Sequence, residues 1–284
     1  MFNYLTEQAI DNFISDALSE DVGDGDHSSL ASIPENAVNR AKLIVKGEGI
    51  IAGIELASKI FQRIDPSLKM EIFIKDGERV KFGDIAFSIQ GSARIILTAE
   101  RLVLNCMQRM SGIATYTREL TELIKHTNAK LLDTRKTTPN FRMMEKWAVV
   151  IGGGVNHRFG LFDMIILKDN HVDYAGGITS AINATHTYLE KTGKKLNIEI
   201  ETRTLDEVKE VLARGGVNRI MLDNMTTSQL KEAVQLINKR YETEASGGIT
   251  RANIKEMAET SVDYISVGAL THSVISMDMS LKAY

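Results

Sequence analysis

Residues 196–224 read LNIEIETRTLDEVKEVLARGGVNRIMLDN. LNIEIET is a short apolar run that ends on an acid, as a strand does when it emerges at a polar edge. TLDEVKEVLAR then spaces its apolar residues for a helix, with Thr204 and Glu207 forming a capping box at its start. NRIMLDN repeats the strand and again stops on an acid. The repeat extends in both directions: strand-like runs begin at Ile198, Ile220, Tyr241 or Glu242, and Tyr264, each near 22 residues from the last. That interval fits one strand, turn, helix and turn. Upstream, KLLD (130–133) and DMIILKD (163–169) are two more such runs, behind the long helical pattern TAERLVLNCMQRMSGIATYTRELTELIKH (98–126). Alternation of this kind, with polar residues closing nearly every strand, suits a parallel α/β barrel. An open dinucleotide-binding sheet fits less well, because no GxGxxG follows the first strand. GGG at 152–154 follows the helical FRMMEKWAVVI and reads as a helix stop at Gly152.

The first hundred residues have another rhythm. Ile10, Phe13, Ile14 and Leu18 fall at helical spacing, and RAKLIVKGEGIIAG and MEIFIKDGERVKFGDIAFSIQGS read as short strands broken by glycine turns. GERVKFGDIAFSIQG is similar to half of a lipoyl-type hammerhead, but no lysine occupies a matching hairpin tip, so this is scaffold. The expected organisation is an N-terminal α+β sandwich domain over 1–105, with the C-terminal tail 273–284 a candidate addition to it, followed by an α/β-barrel domain over 106–272.

Of the 284 residues, 43% are hydrophobic and 25% charged, enough for a full core and two domains. There is no run of about 18 apolar residues, and MFNYLTEQAIDNF lacks the basic-then-apolar order of a secretory signal, so the expected compartment is the cytoplasm. A single cysteine, Cys106, excludes an internal disulfide framework and a thiolate zinc cluster. The net charge of -3 offers no general attraction to nucleic acid or anionic membrane. Anion binding must be local.

In α/β barrels the site forms where the strands end, and the ends here are charged. The first strand leads to Asp133, Arg135 and Lys136, and the next to Lys168, Asp169, Asn170 and His171. Glu201, Asp223 with Asn224, Ser246-Gly247-Gly248, and Gly268 with Thr271 and His272 follow, while Asn156, His157 and Arg158 stand between the first two strands. Arg135, Lys136, Arg158 and Lys168 gathered in one mouth would repel each other on the order of a kcal/mol per pair unless a polyanion sat among them. Arg suits carboxylate or phosphate through its bidentate fork, and Lys serves as a point charge. Glu201 and Asp223 suit sugar hydroxyls, a divalent cation or a developing positive charge. Glycine-rich loops at the last two strands stand where barrels bind phosphate through backbone N–H groups. Together they ask for a phosphorylated sugar beside a small di- or polyacid.

Other residues have structural readings. Met143, Met144 and Trp147 are core at helical spacing, and Thr138 before Pro139 is an N-cap with proline at the first helical position. Asp133 could pair with Arg135 or cap a turn, and His126 and His186 are surface groups. Ser246 and His272 lack a nucleophile-elbow pattern.

ERLVLNCMQRMSGIAT (100–115), LLDTRKTTPNFRMMEKWAV (131–149), GGGVNHRFGLFDMIILKDNH (152–171), EIET, MLDNM, EASGGI and DYISVGALTHS together resemble the quinolinate phosphoribosyltransferases, decarboxylating enzymes of NAD synthesis. The likeness runs from SEDVGDGDHSS to THS near the C-terminus. It implies an N-terminal α/β domain before an incomplete α/β barrel, and a homodimer that builds each site at a subunit boundary. It assigns Arg101, Arg135, Lys136, His157, Arg158 and Lys168 to the dicarboxylate and neighbouring phosphates, with Arg101 donated by the partner subunit. Glu201 and Asp223 match the acidic pair near the ribose and Mg2+, holding the ion directly or through water. Ser246, Gly247, Gly248, Gly268 and His272 match the region that holds phosphate of phosphoribosyl pyrophosphate. In the implied reaction the ring nitrogen of quinolinate attacks C1 of the ribosyl donor as pyrophosphate leaves, and the quaternary ring then loses its 2-carboxylate, giving nicotinate mononucleotide and CO2. Lys136, Lys168, Glu201 and Asp223 are the implied catalytic groups, with either lysine able to steady the carbanion left by CO2. One departure is Asn140, where the family usually has Gly; Asn tolerates left-handed backbone angles. A homologue group encoded with molybdenum transport shares much of DTRKTTP, but KDNH and the full set of cations favour quinolinate. A pure anion sensor would gain nothing from Glu201 and Asp223.

Overall fold

The computed structural model describes residues 4–284. They divide into two compact units, one of residues up to Arg118 with Thr137–Gly153 and Leu270–Tyr284, the other of Glu119–Lys136 and Gly154–Ala269.

Helices α1 (Glu7–Val22) and α2 (His27–Ser32) open the first unit, their free N–H groups met by the side chains of Thr6 and Asp26. There follow β1 (Val38–Val45), β2 (Gly49–Ile50), α3 (Ile54–Ile64), β3 (Lys69–Ile72), β4 (Arg79–Val80), β5 (Ile85–Ser92) and the 32-residue α4 (Ala93–Ile124). Gly53 has no side chain with which to cap α3, and Asp76 does so from a distance, accepting from Ile54 N–H at 2.9 Å and Glu55 N–H at 3.1 Å. Val103, Met107, Met110 and Ala114 are all buried and recur at steps of three and four, which makes one apolar stripe along α4. Phe61 on α3 meets Phe87 on β5 edge-on, with centroids 6.0 Å apart.

After β6 (Lys130–Leu132) comes α5 (Arg142–Ile151), which belongs to the first unit. The βα repeat then runs β7 (Ile165–Leu167), α6 (Asp169–Ala175), α7 (Ile178–Thr192), β8 (Ile198–Thr202), α8 (Leu205–Arg214), β9 (Arg219–Asp223), α9 (Thr227–Ile237), β10 (Glu242–Ser246), α10 (Ile254–Ala258) and β11 (Tyr264–Ser266). Short α11 (Ala269–His272) and β12 (Met279–Ala283) end the chain. In the first unit β12 pairs antiparallel with β1, giving the order β12-β1-β5-β3.

The second unit holds a six-stranded parallel sheet in the order β6-β11-β10-β9-β8-β7. Its register follows the repeat read from the sequence, with Ile220 opposite both Ile200 and Thr243. β6 and β7 are the two edges, and no ladder joins them among the described residues, so the barrel is incomplete. All five residues of β8 are buried, as in a strand covered on both faces.

Three local expectations change. Asn140 does adopt a left-handed angle, φ 61°, and a residue in that region cannot continue a helix. Residues 139–141 therefore form a turn, and α5 starts at Arg142 behind Phe141 rather than at Pro139 behind Thr138. Gly152 ends α5 as expected, but with right-handed φ -70°. Glycine is required there by contact, since a Cβ would lie 2.6 Å from Ala114 O and from Thr117 Cβ. Thr204 caps α8, yet Glu207 reaches back to Arg203 N–H; the reciprocal box forms one repeat later, between Thr226 and Gln229.

Candidate active site

The strand ends of the parallel sheet carry the expected groups. Asp133, just past β6, is wholly buried; it accepts from His157 N–H at 2.8 Å and from Asn156 Nδ2 at 2.6 Å, which holds the loop after Val155. Arg135 and Lys136 beyond it are exposed. Arg158 donates from Nη1 to Met164 O at 2.9 Å, and its Nε is buried without a hydrogen bond. Burial lowers the pKa of Arg158, and the charge of Arg135 lowers it further, against Asp163 and Glu199. The two guanidiniums therefore feel one another, as they must where an anion is to be held.

Lys168 is exposed at the start of α6 and donates its N–H to His171 Nδ1 at 3.1 Å. Glu201, next to last in β8, is almost fully buried. Burial, and next the charge of Asp223, holds its carboxyl above the usual range, while Lys168 and Asp169 N–H act in the opposite direction. Three successive strands thus bring one cation and two carboxylates into electrostatic contact.

The turns after β9 and β10 lie against each other. Asn224, left-handed at φ 54°, donates its N–H to Ser246 O at 2.8 Å and its amide to Asp223 at 2.6 Å. Gly247 has φ 90°, and a Cβ there would lie 2.9 Å from Asn224 N, so the turn through Ser246, Gly247 and Gly248 has no room for a side chain at Gly247. Gly268 follows β11. Arg101 on α4 and His272 at the end of α11 are exposed and belong to the first unit.

Two networks lie outside the expected set. His157 turns its ring inward: Nε2 lies 3.1 Å from Glu199 and 3.3 Å from Glu244, with the imidazole 6% exposed and both carboxylates fully buried. Arg219 stands 3.8 Å and 3.2 Å from the same two acids. Burial and the charge of Glu244 hold Glu199 above its usual range. Glu244 is held below its own, against burial, by His157, Ser266 and Arg219. Burial opposes charge on the imidazole, but the two acids outweigh it and raise its pKa to about 9. Arg158 N–H pulls the other way, donating to Nδ1 at 2.7 Å. In the neutral ring this contact selects the tautomer with its proton on Nε2. Although His157, Glu199 and Glu244 could in principle surround a metal ion, Arg219 already supplies their cation. In the first unit, Glu145 joins Arg109 and Thr138 in a second buried network. The signal for both was present in the sequence as acids inside apolar elements: Glu199 within β8, Glu244 within β10 and Glu145 within α5.

The family model for quinolinate phosphoribosyl transferase, C-terminal domain, matches residues 113–282, and that for its N-terminal domain matches residues 26–111. The chain belongs to this family. Among quinolinate phosphoribosyltransferase relatives, the rice protein named nicotinate-nucleotide pyrophosphorylase [carboxylating], chloroplastic, is 52% identical over 281 residues, covering 94% of this chain and 75% of that protein. The tobacco (Nicotiana tabacum) quinolinate phosphoribosyltransferase [decarboxylating] 1b is 50% identical, covering 94% and 80%. The crystal structure of NadC from Streptococcus pyogenes superposes with a TM-score of 0.92 at 39% identity, covering 98% of this chain and 97% of that one. Among the described residues no helix is long and apolar enough to cross a membrane.

Proposed function

We infer that this phosphoribosyltransferase moves the phosphoribosyl group of phosphoribosyl pyrophosphate to quinolinate and decarboxylates the product, yielding nicotinate mononucleotide, CO2 and pyrophosphate in NAD synthesis. The observation that carries the reading is the convergence of Lys168, Glu201 and Asp223 at three successive strand ends, where the charges of Lys168 and Asp223 both act on the Glu201 carboxyl, on the sheet whose first strand leads to Arg135. Cations alone would bind any anion; the acidic pair adds what a ribosyl cation needs.

Arg135, Lys136 and Arg158 neutralise the two carboxylates of the acid through charge-assisted hydrogen bonds, and the buried, unpartnered Nε of Arg158 is a donor awaiting an acceptor. Orientation of the ring nitrogen towards C1 contributes to the rate, and no covalent nucleophile is required. Glu201 and Asp223 stabilise positive charge at C1 as pyrophosphate departs. Ser246, Gly247, Gly248, Gly268 and His272 take the phosphate end. After bond formation, Lys136 or Lys168 steadies the carbanion at ring carbon 2 while CO2 leaves, and a proton from solvent then takes its place.

The donor set fits Mg2+, since Asp223 already raises the Glu201 carboxyl and a divalent ion nearby would relieve that repulsion. Glu201 and Asp223 would hold it, directly or through water, and when bound it would neutralise the pyrophosphate. We further propose a homodimer in which the partner subunit's Arg101 completes the acid site, and a cytoplasmic location, although the rice relative is named chloroplastic and one tobacco relative mitochondrial. Incubation of the purified protein with quinolinate, phosphoribosyl pyrophosphate and Mg2+, followed by mass spectrometry, should detect nicotinate mononucleotide. Its absence would end the assignment.

A further inference from the structure

His157 is expected among the groups that touch the acid, yet both of its ring nitrogens face the protein, Nε2 through ion-pair distances rather than a well-formed hydrogen bond. Nε2 faces the buried oxygens of Glu199 and Glu244 at 3.1 and 3.3 Å, and Nδ1 accepts the backbone N–H of Arg158 at 2.7 Å. Its own N–H is fixed on Asp133 at 2.8 Å. The groups facing this cluster come from every neighbouring strand: Asp133 past β6, Glu199 on β8, Arg219 on β9, Glu244 on β10 and Ser266 on β11, the last bonded to Glu244. Arg219 contacts both acids and offsets part of their charge.

Removing two carboxylates from water is costly unless they are paired and hydrogen-bonded. They are fully buried under a residue adjacent to a proposed substrate cation, and that position gives them a use. We propose that His157 is a positioning residue that acts through Arg158: Glu199 and Glu244 grip its ring, and the ring grips the Arg158 backbone, so that the guanidinium is pre-set for the dicarboxylate. The inference rests on the functional reading above, and it reassigns His157 from ligand contact to tether. Arg158 spends Nη1 on Met164 O and keeps a buried Nε without a partner, a geometry that a backbone slip of one ångström would lose.

A coupling cycle tests this. His157→Asn should raise KM for quinolinate about tenfold with little change in KM for phosphoribosyl pyrophosphate, and Glu244→Gln should act in the same direction. In an Arg158→Ala background the same His157→Asn change should raise KM by no more than about twofold, since the group it positions is gone. An equal, undiminished effect in both backgrounds would mean that His157 meets the acid itself, and would overturn the proposal. If His157→Asn does not fold, the nearly isosteric Glu199→Gln takes its place in the cycle with the same two outcomes. A second readout needs no turnover: with ring-15N-labelled histidine at a pH above 9, where the ring is neutral, His157 should show a protonated Nε2 and a bare Nδ1, unmoved by added quinolinate. A neutral ring that carries its proton on Nδ1 instead, or one whose signals shift on addition of quinolinate, contradicts the tether. A wild-type protein that forms no nicotinate mononucleotide would count against the functional reading alone, because the tautomer is measured independently.

Discussion

Glu145 receives the guanidinium of Arg109 at 2.9 Å from inside α5, and its carboxylate also accepts the N–H and hydroxyl of Thr138 at 3.1 and 2.9 Å. Arg109 in turn donates to the carbonyls of Thr271 and Val274. One fully buried acid thus ties the segment after Lys136 to the segment that carries His272. Glu145→Ala would leave a largely buried guanidinium without its counter-charge and the Thr138 N–H without its acceptor. Stability measured by urea unfolding should fall by roughly 3 to 5 kcal/mol, and Glu145→Gln, which keeps an acceptor, should lose less. A loss below about 1 kcal/mol, the range of an exposed pair, would refute the account of this network.

The Glu201 carboxyl is held above its usual range first by burial and then by the charge of Asp223. If ionised Glu201 stabilises the ribosyl cation, the acidic limb of the pH–kcat profile lies above the ordinary carboxylate range. Asp223→Asn removes the like charge and should move that limb to lower pH, while kcat itself falls by about tenfold or more. A limb that stays in place or moves upward would separate Glu201 from the rate.

Gly247 combines a φ of 90° with a missing Cβ that would come within 2.9 Å of Asn224 N. Gly247→Ala should therefore disturb the Ser246–Gly248 turn at a cost of about 1 to 2 kcal/mol in backbone strain. We expect KM for phosphoribosyl pyrophosphate to rise more than KM for quinolinate. Equal changes in both would place the turn outside the phosphate site.

Cys106 lies buried on α4, and burial pushes its thiol up to about 12. Almost no thiolate exists near neutral pH, so iodoacetamide should leave the native protein unmodified at pH 8 and label it once urea has unfolded it. Rapid native labelling would show that this part of α4 is open to solvent.

The barrel was legible because each repeat states its own period. Ile198, Ile220 and Glu242 lie in successive strands at the 22-residue interval read from the sequence, and Asp223 and Ser246 close two of them as read. The start of α5 was misread because Thr138-Pro139 is a good local signal that Asn140 overrides two residues later with a left-handed angle. Glu199, Glu244 and Glu145 escaped notice for a different reason. An acid in an apolar run announces that it needs a partner, but its partners, Arg219 and His157 in one case and Arg109 in the other, lie 20 to 87 residues away and are chosen by packing. Strand ends can be read along the chain, whereas ion pairs across a core depend on which elements become neighbours.

The most direct test of the central claim uses quinolinate carrying isotope in its 2-carboxylate. With the purified protein, Mg2+ and phosphoribosyl pyrophosphate, labelled CO2 should appear in equal amount to nicotinate mononucleotide, and none should appear when the ribosyl donor is omitted. Nucleotide formation that retains the label, or release of CO2 without the donor, would contradict the account.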